Sequence, residues 1–247
     1  MVITRVLDFT CGTGYCTVKA GGIAMKSNQK VAKLFGLLLI LSIVFGIFSS
    51  VPVLETQGYL EELVNIKGQV LLATLSQLAM AITYVAITAL LYPIIKKYSS
   101  TLAISYFGFR IIASGLLFLG IVPLLALLNI SESYNVADQL LIKNYEIIGE
   151  LVRVSRDWLN HIAVIYTWAF GGVILYYTFY QTKIIPKWMS IWAMTGAFLT
   201  ITVTTLLLFD KVQIVSPTYF IMNTPTALIE LILAGYLLSK GFKLEKI

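Results

Sequence analysis

Apolar residues in this chain gather into six blocks separated by short polar stretches. They run from Leu34 to about Leu54, about Val70 to Ile95, Thr101 to Leu128, about Trp158 to Tyr180, Trp188 to Phe209, and about Tyr219 to Leu238. Each is close to the ~20 residues that carry a helix across ~30 Å of hydrocarbon, and the longer ones allow for tilt. The first block ends near Pro52, and the second is closed by Pro93 and Lys96-Lys97. The pattern predicts an all-α integral membrane bundle of six transmembrane helices.

The one long connection, about Asn129 to Asp157, has a different period. From Asp138 onward Lys143, Glu146, Glu150, Arg153 and Asp157 recur every three or four residues, with Leu141, Tyr145, Ile148 and Val152 on another face. This spacing predicts an amphipathic helix before the fourth span, with a solvated charged face. It would either lie on the membrane surface or extend the fourth span outward.

Orientation follows from where lysine and arginine fall. Arg5, Lys19, Lys26, Lys30, Lys33, Lys96, Lys97, Lys183, Lys187, Lys240, Lys243 and Lys246 lie on one side, twelve in all. Five lie on the other: Lys67, Lys143, Arg153, Arg156 and Lys211, together with most of the acids. Both termini are therefore expected in the cytoplasm and the amphipathic helix outside the cell membrane. Trp188 and Trp192, with Tyr176, Tyr177 and Tyr180, form an aromatic belt at the inner boundary.

Composition agrees. Charged residues make up 12% of the chain and hydrophobic ones 58%, against roughly 25% charged in soluble domains. The net charge of +6 reflects these flanking orientation signals, not a nucleic-acid surface, so the expected partner is membrane lipid. Cys11 and Cys16 have no accompanying histidine or second pair, so neither a metal site nor a cofactor is expected.

Two charges fall well inside the blocks. Arg110 comes nine residues into the third block and Glu230 about eleven into the sixth, which puts both near mid-membrane at ~1.5 Å per residue. A buried ion needs a partner facing the bundle interior. An Arg110–Glu230 contact is therefore expected, direct or through one polar residue, if the two helices pack side by side. Arg156, Asp157, Asn160 and His161 cluster where the fourth block enters the membrane, and Arg153 stands four residues before Asp157, a spacing that favours an ion pair. His161, the single histidine, is read as a polar residue satisfied at a helix interface, with proton transfer alongside Asp157 as the sharper alternative. Gly171-Gly172 and the small residues around Gly115 suit close helix packing. Pro123 and Pro225 free the carbonyls of Leu119 and Ile221.

No catalytic set is legible. There is no Walker loop, paired His–Glu helix motif or Gly-x-Ser-x-Gly elbow. Ile112-Ala113-Ser114-Gly115 shares only its last half with the Gly-x-Ser-Gly of rhomboid proteases.

A set of ordered motifs carries a wider resemblance. These are Tyr92-Pro93-Ile94-Ile95-Lys96-Lys97, Gly108-Phe109-Arg110-Ile111-Ile112, Arg156-Asp157-Trp158, Tyr180-Gln181-Thr182-Lys183-Ile184-Ile185-Pro186-Lys187-Trp188-Met189-Ser190, Pro225-Thr226-Ala227-Leu228-Ile229-Glu230 and Lys240-Gly241-Phe242. With the Met25-Lys26-Ser27-Asn28 start, they resemble bacterial multi-pass proteins of domain-of-unknown-function family 4386 over about Met25 to Phe242. The resemblance implies a six-helix integral membrane protein with no established activity.

Three functional readings stand side by side. The first is a binding or transport protein for a small molecule or lipid, its polar core formed by Arg110, Glu230, Asp157, His161 and Arg156. The second is a structural or regulatory subunit whose buried charges fix helix register, and the third an intramembrane enzyme using His161 with Asp157 or Glu230. The enzyme is the weakest, for want of a nucleophile or metal set. A water-filled pocket reaching Arg110 favours the first reading and a dry, fully paired Arg110 the second. Oligomeric state is not legible.

Residues 1–24 fit neither a secretory signal nor a span, because Asp8 and four glycines interrupt any apolar core. They are expected to be a non-native or disordered leader ahead of a single domain over residues 25–247. Gly21-Gly22 can be encoded by a purine-rich GGAGG string at ribosome-binding distance upstream of Met25, so Met25 is the expected initiator. Intact-mass measurement of protein made from the natural gene should give a mass without residues 1–24, and a mass that includes them refutes this start.

Overall fold

The computed structural model describes the backbone of residues 11–12, 15–16 and 21–243, and side chains from residue 28 to residue 243. Most of residues 1–24, and with them the expectations about a leader and a start at Met25, lie outside the described residues. Of that stretch there remain a pair of two-residue strands, β1 (Cys11–Gly12) and β2 (Tyr15–Cys16), and the beginning of the first helix.

Among the described residues eight α-helices follow: α1 (Gly21–Phe48), α2 (Tyr59–Glu62), α3 (Lys67–Tyr98), α4 (Ser100–Tyr134), α5 (Gln139–Asp157), α6 (Val164–Thr182), α7 (Lys187–Leu208) and α8 (Pro217–Ser239). Six helical stretches are long and apolar enough to cross a membrane, α5 and α6 counting as one. The protein is a multi-pass membrane protein. The fifth and sixth blocks match α7 and α8 to within two residues. The first departs most: α1 stops at Phe48, and Val51 and Leu54 tuck back as buried residues in a connection that holds a 3-10 turn, Pro52–Glu55. The sequence continues Ser49-Ser50-Val51-Pro52, and the proline keeps Val51 before it out of the helical region (φ -128, ψ 80).

Local chemistry sets the remaining boundaries. One residue, Ser99, separates α3 from α4, and its hydroxyl accepts from the Leu102 amide at 3.3 Å, a side-chain N-cap. Ser216 caps α8 in the same way through the Tyr219 amide, with Pro217 in the first helical position. Lys183 ends α6 in the left-handed conformation (φ 54). Pro123 and Pro225 lie inside continuous helices, which membrane helices tolerate where neighbours re-satisfy the freed carbonyls.

The six spanning helices form a closed ring. Going round it, α1 packs on α3, α3 on α4, α4 on α6, α6 on α7, α7 on α8, and α8 back on α1. One half is filled by Phe35 from α1, Leu91 and Ile95 from α3, Tyr106 from α4, Phe179 from α6 and Leu237 from α8. This half carries the short α3–α4 and α6–α7 links and the last residues described, where the Lys243 amide donates to the Ile184 carbonyl at 2.7 Å. The glycines of the ring mark its closest approaches. A Cβ on Gly196 of α7 would lie 3.2 Å from the backbone of Thr226 in α8, where Thr200 and Thr226 also join their hydroxyls at 3.0 Å.

The other end is built differently. The helix from Gln139 to Thr182 has 44 residues, ~66 Å at 1.5 Å per residue, about twice the hydrocarbon thickness. The stretch expected to be amphipathic therefore continues the fourth span along one helical path. A π-helical turn, Trp158–Ala163, joins α5 to α6. The last turns of α4 and α5 thus make a hairpin standing on the ring. The connection 51–66 is pinned to it: Ser131 Oγ donates to the Leu60 carbonyl at 2.6 Å and accepts from the Val64 amide at 3.0 Å. Gly149 lets α5 close on this connection, since a Cβ there would come within 2.9 Å of Leu60.

The faces of α5 differ from the sequence expectation. Leu141 and Ile148 are exposed, as are Leu140, Ile147 and Leu151, while Gly149, Arg156 and Asp157 are buried. The inward stripe runs through small and charged residues because that face meets the 51–66 connection, where glycine permits the contact.

Candidate functional site

Arg110 leaves α4 pointing into the ring and is 6% exposed. A guanidinium this deep in apolar surroundings needs compensation, and the nearest comes from aromatic faces. The Arg110 guanidinium carbon lies 4.9 Å from the Trp168 ring centroid and 5.7 Å from that of Tyr106. Desolvated cation–π contacts of this kind are worth roughly 2 kcal/mol each. The aliphatic part of the side chain lies across α6 at Gly171, where a Cβ would sit 3.1 Å from Arg110 Cγ and Nε. Gly171-Gly172 therefore makes room for an arginine side chain, and α4 crosses α6 around that contact.

Glu230 and Arg110 do not form an ion pair among the described residues; the salt bridges present are elsewhere. The condition set for a direct contact, α4 beside α8, is not met: α4 is flanked by α3 and α6, and α8 by α7 and α1. What the two residues share is a cavity of about 10 Å³ in the lumen of the ring, also lined by Ser42, Tyr84, Trp168 and Tyr176. That is room for about one water molecule. Among the described residues, Nε of Arg110, the indole N–H of Trp168 and the Tyr106 hydroxyl have no hydrogen-bond partner.

Nearer the hairpin, Gln77 of α3 donates to the Leu117 carbonyl at 2.9 Å and to Asn160 Oδ1 at 3.1 Å. This polar link spans α3, α4 and the π-helical turn through the space left by Gly120, where a Cβ would meet Asn160 Oδ1. His161, one residue on, pairs with α8. Its Nδ1 faces the Tyr219 hydroxyl of α8 at 3.3 Å, and the rings meet edge to face. This is the geometry of a histidine satisfied at an interface.

The charged groups of α5 form a cluster, where sequence periodicity alone suggested a solvated face. Arg153 donates to Glu150 through two bonds, Nε to Oε2 at 2.9 Å and Nη2 to Oε1 at 2.8 Å. Its Nη1 reaches Asp157 Oδ2 at 3.1 Å and lies 3.9 Å from Glu55. The other oxygen of Asp157 accepts from Arg156 Nη1 at 3.3 Å. Arg153 and Asp157 thus pair at the expected four-residue spacing, with Asp157 shared between two arginines.

This cluster forms one wall of a cleft of about 720 Å³. The connection 51–66 supplies Glu55, Tyr59 and Leu60; α5 supplies Glu146, Glu150, Arg153 and Asp157; and the stretch between α7 and α8 supplies Asp210, Gln213, Ile214 and Val215. Trp158, Ile162 and Leu207, at the ends of spans, complete an apolar floor. Burial, then the Glu150 carboxylate, pushes the Tyr59 phenol up to about 12, so it is a neutral hydroxyl at physiological pH. That hydroxyl is solvent-inaccessible and has no hydrogen-bond partner among the described residues.

The residues singled out from sequence therefore separate into three places. Arg110 and Glu230 line the small central cavity, His161 of the π-helical turn faces Tyr219 of α8, and Asp157 enters the cleft wall with Arg156 bonded behind it. Glu55, Tyr59, Glu146 and Asp210 were not legible as site residues. They come from three connections distant in sequence, and only the fold brings them together.

Among known families, residues 34–241 match the model described as "Domain of unknown function (DUF4386)". No curated protein and no solved structure matches the chain.

Because Gly171 is the surface on which Arg110 lies, Gly171→Ala should displace the guanidinium from Trp168 and lower stability by about 1–3 kcal/mol, the usual cost of overpacking. Gly115→Ala, where a Cβ meets nothing within 4 Å, is the control. Unfolding of both variants in detergent micelles checks this, and equal stability of the two would remove Gly171 from the account.

Proposed function

We propose, starting from a chain that belongs to the DUF4386 family of multi-pass membrane proteins, that this protein binds a small amphipathic molecule in the cleft at the hairpin end of its ring. The observation that carries this reading is the cleft's size and lining. Its volume of about 720 Å³ lies in the ~300–1,000 Å³ range of small-molecule sites. Its floor, with Ile162 and Leu207, belongs to membrane spans, while its walls carry carboxylates and hydroxyls. A ligand with an apolar part at the membrane edge and a polar part in the walls fits that division.

The lysine and arginine distribution supports an orientation with both termini cytoplasmic, so that the cleft opens on the extracytoplasmic side of the cell membrane. All three connections that build the cleft belong to that side.

The central cavity supports a different role for Arg110. At about 10 Å³ it has no room for an organic ligand, so we assign Arg110 and Glu230 to fixing the packing of the ring. The two readings divide the molecule between them: a register-setting core in the middle and a binding cleft at one end. The enzyme reading asked for Asp157 or Glu230 within reach of His161 beside a cavity, and the partner of His161 is Tyr219.

Two measurements test this reading. Native mass spectrometry of the detergent-purified protein should show a bound amphiphile that is lost in Val215→Trp, which fills the cleft, with the unfolding temperature unchanged; full retention in that variant refutes the cleft as the site. For the orientation, a single cysteine at Gln57, in a chain with Cys11 and Cys16 replaced by serine, should react with a membrane-impermeant maleimide in intact cells. Protection until the membrane is opened would reverse the topology.

A further inference from the structure

The charge of the cleft narrows what it can hold. Five carboxylates line it, those of Glu55, Glu146, Glu150, Asp157 and Asp210, against one guanidinium, that of Arg153. Arg153 is not available to a ligand anion, because Glu150 takes it through two bonds and Asp157 through a third. Asp157 in turn spends its second oxygen on Arg156 behind the wall. Glu146 and Asp210 take part in no ion pair among the described residues. A concave surface with one excess sign of charge and apolar walls concentrates counter-ions of the opposite sign.

The arrangement also separates kinds of cation. Among the described residues no three His, Cys, Asp or Glu side chains converge as a divalent metal ion requires. The carboxylates are instead spread over three segments around the apolar floor of Ile162, Leu207 and Val215. Trp158, 62% exposed, offers an aromatic face of the sort that receives alkylammonium groups.

We propose that the cleft is a site for an organic cation: an ammonium group attached to an apolar body, with the nitrogen held among Glu55, Glu146 and Asp210 and the body lying on the Ile162–Leu207 floor. This rests on the cleft being a binding site and adds the class of ligand. The ammonium can come from a lipid headgroup or from a free amine, and the recognition chemistry is the same.

Three probes of equal length decide the question: hexyltrimethylammonium, hexanol and hexanesulfonate, titrated by calorimetry into the purified full chain in nanodiscs of phosphatidylglycerol. The cation is expected to bind at least about tenfold more tightly than the alcohol and the sulfonate least. Its affinity should fall as salt rises over a range that shortens the Debye length from ~10 Å to ~3 Å. The double variant Glu146→Gln, Asp210→Asn should lose about tenfold in cation affinity while hexanol affinity and the unfolding temperature stay the same. Adding phosphatidylethanolamine to the nanodiscs distinguishes the sources, since competition with the cation identifies a lipid ammonium and its absence a free amine. Equal affinity for cation and alcohol, or preference for the sulfonate, overturns the proposed ligand class and leaves the cleft reading standing. Failure of all three probes to bind overturns the cleft reading itself.

Discussion

A single guanidinium in the middle of a membrane bundle is the constraint around which this fold is arranged. Arg110 cannot reach water by snorkelling from ten residues inside α4, so the surrounding helices must meet its needs. They do so through the faces of Trp168 and Tyr106, and the Glu230 side chain lines the same cavity. Each of these groups comes with a helix attached. Trp168 brings α6, and Gly171 on the same helix allows the approach. Glu230 brings α8 from the far side of the ring. The aromatic–guanidinium contact therefore acts as a register mark between α4 and α6, two helices whose apolar surfaces alone would permit several alignments, because lipid offers no hydrophobic preference for one over another.

The two ends of the ring follow from that centre. One half is closed by the layer of Phe35, Leu91, Tyr106 and Phe179 and by connections of one to four residues, which leave little freedom. At the other end, α4 and the α5–α6 helix run on past the thickness of a bilayer. Beyond the hydrocarbon, backbone groups are free to bond water, and irregular structure becomes affordable in a way it is not among lipid tails. It is there that the 51–66 connection, the hairpin and the Asp210 loop, with Asp210 itself at φ 54, enclose a cleft. Ionic groups gather there for the same reason: the Arg153 network is partly solvated.

What was legible in the sequence follows the physics of each feature. The six spans were readable because a bilayer demands some twenty apolar residues in a row, and nothing else in a chain looks like that. The depth of Arg110 and Glu230 was readable from rise per residue alone. Their relation was not, because depth says nothing about which helices are neighbours, and ring order places α3 and α6, not α8, beside α4. A three-to-four periodicity likewise identifies a charged face on α5 without saying what it meets; Gly149 against Leu60 turns that face inward. The Gly171-Gly172 pair signalled close packing, but the sequence does not reveal that the partner is an arginine side chain. Glu55, Glu146 and Asp210 lie on three stretches that share no motif, so their convergence is a property of tertiary structure only.

The charge distribution ties centre and ends together. The end with the short links carries Lys96, Lys97, Lys183, Lys187, Lys240 and Lys243, and the cleft end carries an excess of carboxylates. A cation drawn to the cleft by that excess would meet, deeper in the ring, the fixed positive charge of Arg110 above a core with about 10 Å³ of free space. Both the field and the packing oppose passage through the middle in this conformation. On the proposed reading a ligand is captured at one face, and the tightly packed centre around Arg110 separates that face from the other. Movement of a cation across the ring would require the α4–α6 contact at Gly171 to open, because that contact holds the charge in its path.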